Sequence, residues 1–271
     1  MASRVFRSTA LIAVVGAGFL SAACTIPTET ADATAPEATT SVEVSPLSTV
    51  AADIPAALTG KVVFLDPGHS GANDDSINTQ VPTGRGGTKN CQTTGTNTDA
   101  GFAEHTFNWE VASLVKSELE GQGATVVLSR PDDVSVGSCV DARAEAANSS
   151  GADVVVSIHA DGAAAGAEGF HVCYSTPPLN TVQAGQSVAF AETMRDSLVT
   201  AGLTPSTYIG DDGLAPRADL TGLNLSQRPS ILVELGNMRN ADEAARMTSP
   251  DGQQDYAAAV TSGVTAFLTT P

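Results

Sequence analysis

Residues 153–160 read DVVVSIHA, a short apolar run that ends in a histidine. A run of this length, bounded by a Gly-Ala pair before it and Asp-Gly after it, is typical of a buried strand. Apolar residues at successive positions are what a sheet covered on both faces requires. The run therefore predicts a strand of a parallel sheet, with His159 at its carboxyl end.

Strands and helices are predicted to alternate on both sides of this run. Further strands are predicted at 61–66, 124–129, 168–175 and 230–236. Helical spacing of apolar residues predicts helices at about 104–119, 140–149, 184–201, 240–248 and 253–268. This alternation indicates an α/β fold, a largely parallel sheet covered by helices in one domain that starts near Thr59 and runs to residue 271.

The N-terminal residues are typical of an export signal. Arg4 and Arg7 precede an apolar stretch at 10–20, and small residues follow at 21–23, so 1–23 is predicted to be a signal peptide. Cys24 comes next and resembles the acylated cysteine of bacterial lipoproteins, although Ser21 stands where that motif prefers Leu. Lipid anchoring and simple secretion both remain open, and either places the protein in the cell envelope or outside the cell. Residues 24–58 are rich in Thr, Ala and Pro and are predicted to be a disordered lead.

The chain is strongly acidic. Lys and Arg number 13 and Asp and Glu number 30, so the formal net charge is −17. Binding to nucleic acid depends on neutralising phosphates with cations, so we expect no nucleic-acid partner. The net negative charge also argues against adhesion to anionic membranes by charge.

Four polar side chains are expected at the carboxyl edge of the sheet. His69 follows an apolar strand, and His159 and Glu234 lie at the carboxyl ends of two others. Ligand sites of open α/β sheets lie at that edge. Glu104 begins the helix that contains Phe107, and it shares the inward face of that helix. Two imidazoles and a carboxylate are typical of a catalytic zinc site, and a second carboxylate can act as general base.

The residues alone leave several alternatives open. They do not say which of Glu104 and Glu234 is the ligand and which is the base. His171 is a rival ligand, whereas His105 is expected to point away from the metal. A serine or cysteine nucleophile has little support, since there is no G-x-S-x-G elbow and nothing near Cys173 suggests a lowered pKa.

Five segments resemble the zinc-dependent N-acetylmuramoyl-L-alanine amidases of the amidase type 3 fold. They are LDPGHSG, AEHTFN, ATVVLSRPDD, ARAEAAN with GADVVVSIHAD, and SILVELGNMRNADEAARM. The resemblance implies about six strands with helices on both faces. It implies that His69, Glu104 and His159 bind Zn²⁺ and that Glu234 is catalytic, with Asp66 and Asn108 as candidates to orient the ligands.

The resemblance also implies a reaction, the hydrolysis of the amide between N-acetylmuramic acid and L-alanine in peptidoglycan or a muropeptide. Two alternatives stay open: a zinc peptidase that cuts stem peptides, and a non-catalytic cell-wall binder. A binder would have lost Glu234 or a ligand, and this chain has kept them. Members of this family that are held inactive carry an extra helix over the zinc, inserted before the last strand. Residues 202–229 contain no long amphipathic run, so we expect no such helix here and an open site. We also expect the protein to be a monomer.

Cys91 and Cys139 are predicted to form a disulfide. Each follows a strand of the predicted sheet, at 61–66 and 124–129, and the two loops leave the same edge. Export supplies the oxidising compartment that the bond needs. Cys173 lies within a strand and is expected to remain a buried thiol.

Overall fold

Six strands form the central sheet of the computed structural model, which describes residues 56–270. The predicted signal peptide at 1–23, Cys24 and nearly all of the predicted lead lie outside the described residues. Within the described range, no helix combines the length and the apolar character needed to cross a bilayer.

Strands and helices alternate through most of the described chain. The strands are β1 (Val62–Pro67), β2 (Gln80–Pro82), β3 (Thr88–Asn90), β4 (Thr125–Leu128), β5 (Val154–Asp161), β6 (His171–Ser175), β7 (Leu214–Arg217) and β8 (Ser230–Asn237). The helices are α1 (Glu104–Gly121), α2 (Val140–Ser149), α3 (Thr181–Ala184), α4 (Gln186–Thr200), α5 (Thr221–Leu225), α6 (Ala241–Met247) and α7 (Pro250–Thr269).

The sheet has the order β4-β1-β5-β8-β6-β7. Strands β4, β1, β5 and β8 are parallel, whereas β6 runs antiparallel to β8 and parallel to β7. The predicted six-stranded, mostly parallel α/β sheet is therefore confirmed. The edge strand β7 was not predicted, because LAPR is short and contains a proline. The β2–β3 hairpin was also missed, since each of its strands has only three residues.

The two faces of the sheet are covered unequally. Helices α1, α4 and α7 pack on one face and bury the main hydrophobic core with Val63, Val156 and Val233. The other face carries the smaller helices α2 and α5. Each of them covers a small apolar cluster, around Phe64 and Val155 in one case and around Cys173 and Leu232 in the other. This thin cover leaves room for a cavity on the second face.

Candidate metal centre

Three side chains converge at the carboxyl edge of the sheet, where the sequence predicted them. His69 follows β1, His159 lies in β5, and Glu104 is the first residue of α1. One ligand atom from each lies within 4.8 Å of the others. Nε2 of His69 and Nδ1 of His159 are each 3.0 Å from Oε1 of Glu104. The arrangement surrounds a point at which all three could coordinate one ion.

His69 is held in a backbone conformation that few residues other than glycine adopt. Its φ is 63°, in the left-handed region, where such strain is tolerated mainly at functional sites. Nδ1 lies 2.8 Å from the carbonyl oxygen of Thr93 and donates to it. This bond fixes the ring so that Nε2 is the nitrogen that can bind a metal.

Gly68 allows the loop after β1 to pass close to the second histidine. A Cβ atom at residue 68 would lie 2.1 Å from Cε1 of His159, well inside contact distance. The DPGH segment therefore needs a glycine directly before His69, because any side chain there would displace His159.

Glu104 is buried and accepts several hydrogen bonds. The backbone N–H of Thr96 donates to Oε2 at 2.9 Å, and that of Ala160 donates to Oε1 at 3.3 Å. Burial disfavours the charged form, but hydrogen bonds from His159 and His69 outweigh it and hold the pKa of Glu104 well below its usual range. Glu104 therefore stays ionised, as a metal ligand must.

These residues fit a divalent metal ion by their chemistry. Two neutral imidazoles and one carboxylate are the ligands of many catalytic zinc sites. Burial opposes a positive charge on His69, yet its hydrogen bond to Glu104 raises the pKa of His69 above the ordinary value. The site therefore attracts positive charge, which favours binding of a cation.

Glu234 lies beside the metal-binding group. It is the neighbour of His159 in the β5–β8 register, so the two side chains project from the same face of the sheet. Its Oε2 atom is buried without a hydrogen-bond partner. Burial, and then the negative charges of Glu104 and Asp161, hold the pKa of Glu234 well above its usual value. A free carboxyl group next to a metal site is suited to proton transfer.

Two buried arginines hold the loop that carries His69. Arg143 of α2 donates to the carbonyl oxygens of Pro67 at 3.0 Å and of His69 at 2.6 Å. Arg130, after β4, donates to the same Pro67 oxygen at 3.0 Å. Sequence reasoning did not identify them, although both lie in segments that carry the family resemblance.

Asp66 and Asn108, the candidates for orienting ligands, have different roles in the structure. The amide nitrogen of Asn108 lies 3.4 Å from Oε1 of Glu104 and 3.3 Å from the carbonyl oxygen of Gly68, so it contacts a ligand side chain. Asp66 accepts instead from Arg143 at 2.8 Å and from two serines, and its side chain bonds to no candidate ligand side chain. Asp66 therefore acts on the loop through Arg143.

The remaining two histidines are not part of the three-residue group. His105 points away, as expected, and its Nδ1 lies 2.9 Å from Oδ1 of Asp133. His171, the predicted rival ligand, is buried at the start of β6 and has no ligand atom in the group.

The structure contains the disulfide between Cys91 and Cys139. It joins the segment after β3 to the residue that precedes α2.

Cys173 is a buried free thiol, and burial raises its pKa to about 12, so it is not a nucleophile at neutral pH.

A cavity of about 430 Å³ extends from the metal-binding group along the second face of the sheet. Glu234, Asp66 and Ser157 line it from the strands, and α2 and α5 form its walls. Helix α5 has only five residues, and it is the one α-helix that the structure describes between residues 202 and 229. The volume is in the range of sites that enclose a small organic ligand.

The fold and the site together define a class of protein. The sheet is mostly parallel, and its carboxyl edge carries a His–Glu–His group, a free carboxyl group and a ligand-sized cavity. These features are those of an α/β enzyme whose site can hold a metal ion.

Comparison with known proteins places the chain within that class. Residues 63–266 match the model of the amidase type 3 family, described as N-acetylmuramoyl-L-alanine amidase. The chain belongs to this family. It is 54% identical to N-acetylmuramoyl-L-alanine amidase Rv3717 of Mycobacterium tuberculosis over 226 residues, which cover 83% of this chain and 94% of the relative.

Solved structures agree with this assignment. The apo form of the amidase Ami1 from Mycobacterium abscessus is 58% identical with a TM-score of 0.77, covering 78% of this chain and 99% of that one. The amidase AmiC2 of Nostoc punctiforme is 25% identical with a TM-score of 0.60 and covers 78% of this chain and 99% of its own.

Proposed function

We propose that this protein is a zinc-dependent N-acetylmuramoyl-L-alanine amidase. It hydrolyses the amide bond between the lactyl group of N-acetylmuramic acid and the L-alanine of the stem peptide. The observation that supports this most is the position of the His69–Glu104–His159 group beside Glu234 in one cavity, in a chain whose relatives are named as such amidases.

His69, Glu104 and His159 would hold the zinc ion. When bound, zinc lowers the pKa of water and polarises a carbonyl oxygen. Arg143, Arg130 and the hydrogen bond to Thr93 keep His69 in place. The side-chain amide of Asn108 donates a hydrogen bond to Glu104 and helps to orient it.

Glu234 is the proton carrier of the reaction. Its carboxylate takes a proton from the attacking water as the oxygen bonds to the lactyl carbonyl carbon. It then returns the proton to the alanine nitrogen, and the carbon–nitrogen bond breaks. Burial raises the pKa of Glu234, and a raised pKa suits both steps. The positive charge of a metal ion bound nearby would reduce this rise in the pKa.

The reaction takes place in the cell envelope or outside the cell. We propose that residues 1–23 direct export and that Cys24 is either acylated or lies within the secreted lead. The disulfide between Cys91 and Cys139 is in keeping with an oxidising compartment. The proposed enzyme works as a monomer.

Mass spectrometry of digested muropeptides tests the proposed reaction. An amidase releases intact stem peptides and leaves the glycan unbroken. Shortened stems would show a zinc peptidase instead, and binding without cleavage would show a cell-wall binder.

Metal analysis and chelation test the cofactor. We expect about one zinc ion per chain, as is usual for a three-ligand site, loss of cleavage on chelation and recovery on adding zinc. Full activity of a preparation free of zinc would disprove the zinc dependence.

A further inference from the structure

His171 lies beside Glu234 on the face of the sheet that carries the cavity. It pairs with Glu234 in the antiparallel β6–β8 register, and Glu234 pairs with His159 in the parallel β5–β8 register. Directly opposed residues on neighbouring strands project to the same side and have Cβ atoms about 5 Å apart. His159, Glu234 and His171 therefore form one row across three strands, with Glu234 in the middle.

Two adjacent residues of this row have buried polar atoms without partners. Nδ1 of His171 and Oε2 of Glu234 are both buried and make no hydrogen bond. The rings of His171 and Tyr208 lie edge to face with their centroids 6.0 Å apart. Buried polar atoms are nearly always paired in folded proteins, so orphan atoms on adjacent residues point to a functional use.

The His171 ring is neutral under ordinary conditions. Only 1% of the residue is exposed, and burial lowers the pKa of His171 to about 4, with Asp161 opposing and Arg217 reinforcing the shift. A neutral imidazole has one N–H donor and one acceptor nitrogen. The ionised Glu234 carboxylate is an acceptor for that N–H.

We propose that His171 is a positioning residue for Glu234: a ring N–H is donated to the Glu234 carboxylate through one bridging water molecule and holds it towards the scissile amide. This inference rests on the proposed function, in which Glu234 carries the proton. It gives His171 a role in the reaction that does not involve metal binding.

Replacing His171 by Phe, which keeps a ring but removes both nitrogens, tests this role. With a soluble muramyl peptide, we expect kcat to fall about 10- to 100-fold, the usual cost of losing an orienting partner. We expect KM to stay within about threefold and the zinc content to stay unchanged, because contacts to substrate and metal remain. His171→Asn or His171→Gln, which keep an N–H donor, should recover most of the loss.

Cys173→Ala is the matched control. Cys173 lies two residues further along β6 on the same face and is equally buried, but it is opposite Leu232 instead of Glu234. Its replacement should leave kcat within about twofold of the wild type. If His171→Phe does not fold, His171→Leu is measured against the same criteria.

The inference is overturned by any of four results. These are wild-type kcat in the Phe or Leu variant, loss of zinc, a rise in KM with unchanged kcat, or failure of both the Asn and the Gln variant to recover activity.

A double variant separates this inference from the proposed function. If His171 acts through Glu234, then His171→Phe should cause no further loss in a Glu234→Gln background. Further loss in that background would overturn the inference alone. Wild-type turnover of Glu234→Gln by itself would instead overturn the proposed role of Glu234.

Discussion

Glu104 and Glu234 lie at the same edge of the sheet, yet their surroundings drive their carboxyl groups in opposite directions. Hydrogen bonds from two histidines hold the pKa of Glu104 below its usual range, whereas burial without a partner holds that of Glu234 above it. When the surroundings push the pKa values of two titratable groups apart, one group commonly stabilises charge and the other carries the proton. The structure thus supports Glu104 as the ligand and Glu234 as the base.

Glu234→Gln should retain the fold and bound zinc but lose most of its turnover. The amide is similar in size to the carboxylate but cannot accept a proton, and a general base typically contributes about 10²- to 10⁴-fold. Steady-state rates on a muramyl peptide, together with metal analysis, check this. Turnover close to that of the wild type would mean that another group takes the proton.

Asp66 should make the stability of the protein depend on pH in the acid range. Burial opposes its charge, but Arg143, Ser129 and Ser157 outweigh that effect and lower the pKa of Asp66 from 3.8 to about 2. Because the pKa is lower in the folded state, the stabilisation is complete above the unfolded value and is lost as the pH falls towards 2. The shift corresponds to about 2 kcal/mol.

Urea unfolding of wild type and Asp66→Asn over a series of pH values measures this contribution. The difference in unfolding free energy should be largest above about pH 5 and should shrink as the pH falls towards 2. A difference that stays constant with pH would show that Asp66 stabilises the fold only by its shape.

At the level of elements, the long segment between β1 and α1 is tied down at several points. It contains the β2–β3 hairpin, provides the Thr93 carbonyl to His69, and is joined to the start of α2 by the Cys91–Cys139 bond. The backbone N–H of Val140 also donates to the carbonyl oxygen of Cys91 at 2.9 Å. The disulfide therefore anchors the segment that borders the metal centre.

Removing this disulfide should lower the stability of the protein substantially. The bond links residues 48 positions apart, and closing such a loop is worth about 4 kcal/mol in the chain-entropy account. Denaturant unfolding of a Cys91→Ala, Cys139→Ala double variant should show a loss of this order. A reductant should destabilise the wild type but not the variant, and equal midpoints for both proteins without reductant would contradict the expectation.

The direction of β6 determines what lies next to Glu234. Because β6 is antiparallel to β8, its first residue meets the carboxyl-terminal part of β8, and His171 lies opposite Glu234. A parallel β6 would have placed its first residue at the opposite edge of the sheet. One reversed strand thus brings an additional histidine to the candidate active site.

For the molecule as a whole, the unequal cover of the sheet places the main hydrophobic core on one face and the cavity on the other. Three long helices bury the main core on one face, while α2 and α5 leave the cavity open on the other. Substitutions in the main core should act on folding. The cavity face carries the candidate reacting groups, together with Asp66, which also stabilises the fold.

Leu58 directly precedes Thr59, near which the folded domain is predicted to start. The side chain is fully buried in the main core, and its backbone N–H donates to the carbonyl oxygen of Gln122. Leu58→Ala should lower the unfolding free energy by about 2–5 kcal/mol, as expected for a fully buried leucine. Leu179→Ala is the matched control, because Leu179 is 47% exposed and should change stability by less than about 0.5 kcal/mol.

Calorimetry or denaturant unfolding of both leucine variants compares the two sites. Equal, small effects at Leu58 and Leu179 would mean that the fold does not depend on the residues before Thr59.

The α/β class, the three ligand candidates and Glu234 could all be predicted from short segments. An apolar run of strand length is a local feature, and parallel strands bring the residues that follow them to one edge, whatever the order of the strands. His69, His159 and Glu234 were recognisable for this reason, as was the proximity of Cys91 and Cys139, whose loops leave neighbouring strands.

Strand direction, the cavity and the partners of each side chain became known only from the tertiary structure. They depend on contacts between residues distant in the chain, and local patterns carry no information about these. Arg143 acts on Asp66 from 77 residues away, and His171 meets Glu234 only because β6 is reversed. The different roles of Glu104 and Glu234 have the same origin, since two identical side chains differ only in what the fold packs around them.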